Sequence, residues 1–140
     1  PPPKTTATYT LSLHDDLPIS RSRSAPSRPN PMTTAEFHTE GRRITGFTVR
    51  GHSGYAPEGE DIVCAAVTSA VRLVECAVND VLGLEASVKV RQKDASITLK
   101  LPANLGQTHE STCQTLLAAL MVHFVQLAEE YPDHITVLEV

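Results

Sequence analysis

Two side chains suited to nucleophilic chemistry stand twelve residues apart in the stretch GHSGYAPEGEDIVCAAVTSA, residues 51–70: His52 and Cys64. A thiolate can attack a carbonyl carbon, and an imidazole can take the thiol proton and later return it to a leaving amine. The same pairing arises by chance in many chains, so what matters is where each residue is placed. Placed on a helical wheel at about 100° per residue with Cys64 at the origin, Val63, Val67, Val74, Val78 and Val81 fall near 260° to 320°. Asp61, Thr68, Arg72, Glu75 and Asn79 fall near 20° to 80°. Cys64 therefore sits at the border of the polar stripe, whereas a structural cysteine belongs on the valine side.

Height along the helix matters as well. With a helix start around Gly59 to Asp61, Cys64 lies in or just beyond the first turn, where unpaired N–H groups and the macrodipole favour negative charge. A thiol there is expected to ionise more readily, and the same N–H groups can contribute to an oxyanion hole. Asp61 projects to the side of Cys64, either to orient the imidazole or as an ordinary first-turn acid. Thr68 shares the face one turn on, as a site residue or as a solvated one. Gly51, Gly54 and Gly59 give the connecting loop the freedom to clamp an extended peptide. A metal held by His52, Asp61 and Cys64 lacks a fourth ligand, so no metal is expected. Cys113 lies on an apolar stripe as core filler. Cys76 is too far along the helix to join Cys64, and His38, His109, His123 and His134 are given no chemical role.

The elements that position these residues follow from periodicity. AEFHTE and RITGFTVRG read as two strands around Gly41, with a bulge at Gly46. A helix then runs from the loop to a stop at Gly83. SVKVRQ and SITLKL alternate around Lys93-Asp94 as a hairpin, residues 108–131 repeat Cys113, Leu116, Leu117, Leu120, Phe124 and Leu127 at helical spacing, and ITVLEV closes as a strand. The order is ββαββαβ, an α+β fold with a mostly antiparallel sheet and two helices on one face. The other face is left open, which makes a homodimer an expectation.

At 140 residues the chain has room for one core. Seven of the ten prolines lie in residues 1–31 beside RSRSAPSRPN, so this segment is expected to be disordered or non-native, with Met32 as the start and 32–140 as the catalytic domain. The first 31 residues carry a balance of +2 and the remainder −6. An acidic domain argues against direct nucleic-acid binding, which depends on Lys and Arg neutralising phosphates. Three widely spaced cysteines fit a reduced, cytoplasmic protein, no uninterrupted apolar run approaches a membrane span, and no GxGxxG or Walker pattern suggests a cofactor.

GHSGYAPEGEDIVCAAVTSA resembles the signature of the bacterial ribosomal-processing cysteine proteases (the Prp family), in which a GHxGY loop leads into a DIVCAxVS helix start. The likeness covers about residues 34 to 140. It implies a cytoplasmic, dimeric cysteine endopeptidase that removes the N-terminal extension of large-subunit ribosomal protein L-twenty-seven. Cys64 then matches the nucleophile, His52 the base and Asp61 the acidic position before the cysteine. Thr68 stands where serine is common and Ser53 where alanine is common. The loop from Ser53 to Glu60, with Tyr55 in it, is where peptide recognition is expected. The alternative is a non-catalytic, ribosome-associated module that binds a protein tail in the same cleft.

Overall fold

The computed structural model describes residues 32–51 and 62–140. Its elements are β1 (Thr33–Glu40), β2 (Arg43–Arg50), α1 (Ile62–Glu75) continued by a π-helical turn (Cys76–Val81), β3 (Ser87–Arg91), β4 (Ser96–Lys100), α2 (Gln107–Glu130) and β5 (Ile135–Glu139). This is the expected ββαββαβ order. The five strands lie in the order β3-β4-β2-β1-β5. All neighbours are antiparallel except β5, which runs parallel to β1 because α2 carries the chain to the far edge of the sheet.

Alternation along the strands sorts the two faces. Ala35, Phe37, Phe47, Val49 and Leu99 point toward the helices and are buried. The Phe37 ring lies 5.9 Å from Phe47 and 6.2 Å from Phe124 of α2, both tilted, so three aromatic rings join sheet to helix. The opposite face is polar. There His38 Nε2 and Thr48 Oγ1 are 3.0 Å apart, Thr48 and Thr98 hydroxyls are 3.0 Å apart, and Arg50 pairs with Glu36 at 2.7 Å.

The bulge expected at Gly46 is present. The β1–β2 register shifts between His38 and Thr39, leaving Thr45 as the extra residue. A Cβ at Gly46 would overlap the carbonyl oxygen of Leu99, so only glycine lets β4 approach there. The bulge unpairs backbone groups, and α2 supplies their partners. Ile44 N–H donates to Gln114 Oε1 at 2.8 Å, and Gln114 Nε2 donates to the Ile44 carbonyl at 2.8 Å. Arg43 beside it donates to Glu110 at 2.7 Å and to the Pro102 carbonyl at 2.9 Å.

Two expectations are corrected. The valine stripe of the first helix holds from Val63 through Val78, but Val81 is 75% exposed. The helix widens after Glu75, so that Leu82 N–H bonds the Ala77 carbonyl five residues back, and the change of phase turns Val81 out of the stripe. The widened turn also aims Asn79 at Ala86, whose N–H and carbonyl it bonds at 2.6 and 3.2 Å. The second correction concerns hydropathy: although no apolar run is unbroken, Ile62–Val81 and Gln107–Glu130 are each long and apolar enough on average to cross a bilayer. Both bury their apolar stripes in the one core with the sheet, which is the behaviour of core helices.

Gln114→Leu removes both partners of the Ile44 peptide groups, and chemical denaturation is expected to show a loss of about 1–3 kcal/mol. An unchanged midpoint would mean that water satisfies the bulge equally well.

Candidate functional site

The second strand ends at Arg50, and Gly51 just after it has φ 83°. A Cβ there would lie 2.9 Å from the Met32 carbonyl oxygen, so both the backbone angle and the neighbouring chain call for glycine. The chain re-enters the described structure at Ile62, and Cys64 is the third residue of α1. Its neighbours Val63 and Val67 are buried while Thr68 is exposed, and Cys64 itself is half-buried between them. The helix margin read from the wheel is where the thiol lies.

Cys64 and Thr68 both line a cleft of about 640 Å³. One wall is α1, where Val67 and Val71 form the inner side and Arg72 and Glu75 the outer end. The other is the β3–β4 hairpin, including Val88, Val90 and Ile97. Thr33 and Val49, from the start of β1 and the end of β2, close the end of the sheet nearest Gly51. Of the residues singled out from sequence, Gly51, Cys64 and Thr68 fall in the described structure, and Cys64 and Thr68 share the cleft. His52, Ser53, Gly54, Tyr55, Gly59 and Asp61 lie outside the described residues.

Sequence reasoning missed the hairpin wall and the outer pair Arg72 and Glu75. The signal for the pair is present, since both residues share the wheel sector of Thr68, but a polar stripe by itself does not tell a cleft wall from a solvated face. The hairpin wall depends on how distant segments meet, and local periodicity carries no trace of that.

None of the three cysteines is joined in a disulfide, and they occupy different surroundings. Cys113 is fully buried, and burial, with Glu110 adding to it, pushes its thiol pKa up while Arg43 opposes. Cys76 is exposed. It stands about 18 Å of helical rise from Cys64, too far for a disulfide. Among the described histidines, His38 bonds Thr48 on the opposite face, and His123 and His134 lie beside Phe124 and Tyr131. No group of three metal-ligating side chains occurs among the described residues.

The family model described as cysteine protease Prp matches residues 32–136. The chain belongs to that family. It is 27% identical over 105 residues to the ribosomal processing cysteine protease Prp of Bacillus subtilis (strain 168), a match covering 75% of this chain and 92% of that protein. Its fold is shared with a Streptococcus mutans protein at 23% identity, TM-score 0.67, covering 79% of this chain and 95% of the other. The fold is also that of the essential ribosomal processing protease Prp from S. aureus in complex with a covalently linked product peptide, at 20% identity and TM-score 0.62, over 78% of this chain and all of that one. The chain is thus a cysteine protease of the ribosomal-processing family.

A colorimetric thiol titration of the native protein at pH 8 is expected to register Cys64 and Cys76 at once and Cys113 only after denaturant is added. Rapid reaction of all three would show that the α2 core opens freely.

Proposed function

We propose that this protein removes the N-terminal extension of ribosomal protein L-twenty-seven, with Cys64 as nucleophile and His52 as general base. The supporting observation is a half-buried thiol in the first turn of α1, set in the wall of a cleft, within a chain of the Prp family. His52 takes the Cys64 proton, and the thiolate attacks the scissile carbonyl carbon. The negative charge passes to the carbonyl oxygen, which N–H groups of the first helical turn are suited to stabilise. The C–N bond then breaks, the imidazolium proton goes to the leaving amine, and a thioester joins Cys64 to the acyl portion. Water, deprotonated by His52, attacks the thioester, and the proton returns to the departing thiolate to release the acid.

In this reading Asp61 orients the imidazole, Thr68 shapes the cleft beside the thiol, and the loop residues Gly51, Ser53, Gly54, Tyr55 and Gly59 hold the substrate backbone. The domain spans 32–140, a cytoplasmic location accords with a ribosomal substrate and three cysteines outside any disulfide, and no cofactor takes part. The open face of the sheet is polar, so the homodimer forms through another surface. The groove between α2 and β5, where Val122, Val125 and Leu138 are exposed, has the apolar character such an interface needs.

Incubating the full chain with the host's L-twenty-seven N-terminal peptide and reading the products by mass spectrometry tests the assignment. One internal cut is expected, with Cys64→Ala and His52→Ala each lowering kcat/KM by about 10³-fold or more. A peptide that binds but stays intact would replace this reading with the non-catalytic tail-binding module.

A further inference from the structure

The cleft is a slot with two nearly matched walls, and its dimensions bear on what it holds. On the helix side it is lined by Cys64, Thr68, Arg72 and Glu75, which follow one margin of α1 over eleven residues, or about 16 Å of rise. On the strand side is β3, five residues long, or about 16 Å at 3.3 Å each. The bonds of Asn79 to both backbone groups of Ala86 tie the start of β3 to the end of the first helix. From there β3 runs back beside α1. It also runs parallel to β2, since each is antiparallel to β4, so it ends on the side where β2 delivers the chain to Cys64.

Neither wall is closed off by the fold. Helix-facing Val90 is 66% exposed and Val88, packed against the core, stays half-buried, an apolar surface that α1 and α2 cover only in part. In the sheet order β3 is an edge strand, with backbone N–H and C=O groups directed away from β4. At the end away from Cys64, Arg72 and Glu75 make no ion pair with one another, although opposite charges three apart on a helix are within reach. The slot is therefore apolar along its middle, with Arg72 and Glu75 at the far end and Arg91 and Gln92 at the end toward Cys64.

We propose that this slot holds the substrate chain on one side of the cut: it is a run of subsites about five residues long, with Val88 and Val90 receiving apolar side chains and Arg72 and Glu75 reading a polar residue at the far end. The inference rests on Cys64 being the nucleophile, because that residue marks where the run begins. An extended peptide advances about 3.3 Å per residue, so five residues span the distance from Cys64 to Glu75. Backbone pairing to the β3 edge would hold such a segment in register, while the side chains facing the valines give it specificity.

The test uses fluorescently labelled L-twenty-seven N-terminal peptides that extend from one to eight residues on either side of the cut. On one side only, kcat/KM is expected to rise at least about 10-fold in total as the peptide lengthens to five residues and then to level off. Glu75→Lys is expected to raise kcat/KM for a peptide with Glu at the fifth position, relative to one with Lys, by about 2- to 5-fold at low salt. Anisotropy with the Cys64→Ala chain follows the same series as binding alone. Length-dependent binding without cleavage by the wild-type chain would support the slot and overturn the catalytic reading. Cleavage that is indifferent to length on both sides would overturn the slot and leave the protease standing, and a Cys64→Ala chain that binds no member of the series would also overturn the slot.

Discussion

The rotation of α1 about its own axis is the constraint on which the site depends. Val63, Val67, Val71, Val74 and Val78 are all buried, and they can be buried together only if one narrow stripe of the helix faces the sheet. Burying a valine side chain contributes about 1.5 kcal/mol, so turning the helix by a single residue position would sacrifice several such terms together. Cys64 has no comparable hold on the rotation. It lies one step from the stripe and takes the position the valines leave it, half-buried beside the cleft. A polar or reactive side chain placed by its apolar neighbours need not contribute stability itself, which leaves it available for chemistry.

The opposite wall of the cleft depends on the far end of the same helix. An unbroken α-helix would turn Val81 inward and carry Asn79 away from the following segment. The π-helical turn sends Val81 to solvent, and in exchange Asn79 meets Ala86 in the manner of a strand neighbour. Wide turns of this kind persist only where the surroundings repay the weaker helical bonding. Here the return is the fixed start of β3, and with it the spacing between helix and hairpin. The two ends of one helix thus set the two sides of one cleft.

How far the sequence discloses this arrangement depends on whether a feature is local. The seven elements, the bulge before Phe47 and the hairpin around Lys93-Asp94 are written in periods of two and between three and four, and the structure has all of them. The marginal position of Cys64 follows from the spacing of the valines and was equally legible. The π-helical turn was not, because the bonds that accompany it, between Asn79 and Ala86, lie outside any window centred on the helix. Nor was the hairpin wall, since Val88 and Val90 look like any alternating strand until the sheet order leaves them uncovered at an edge. For the loop residues His52 and Asp61, spacing gives residue types and a short tether to Cys64, and it is the likeness to a protease signature that turns those into roles.

The three cysteines show why position rather than residue type decides chemistry. Cys113 has the same side chain as Cys64, but α2 places it among Phe124, Leu117 and the sheet, where an anion would go unsolvated and the thiol stays protonated. Cys76 has solvent around it but stands in the middle of a continuous helix, where the preceding turn already uses the backbone N–H groups. Cys64 alone combines partial access with a place in the first turn, where N–H groups have no partner earlier in the helix. A thiolate and an oxyanion both need what that turn offers. An exchange of Cys64 and Thr68 would keep composition, cleft and face unchanged, yet it would move the thiol a full turn away from those groups. The function is therefore tied to a height on the helix as closely as to the residue that occupies it.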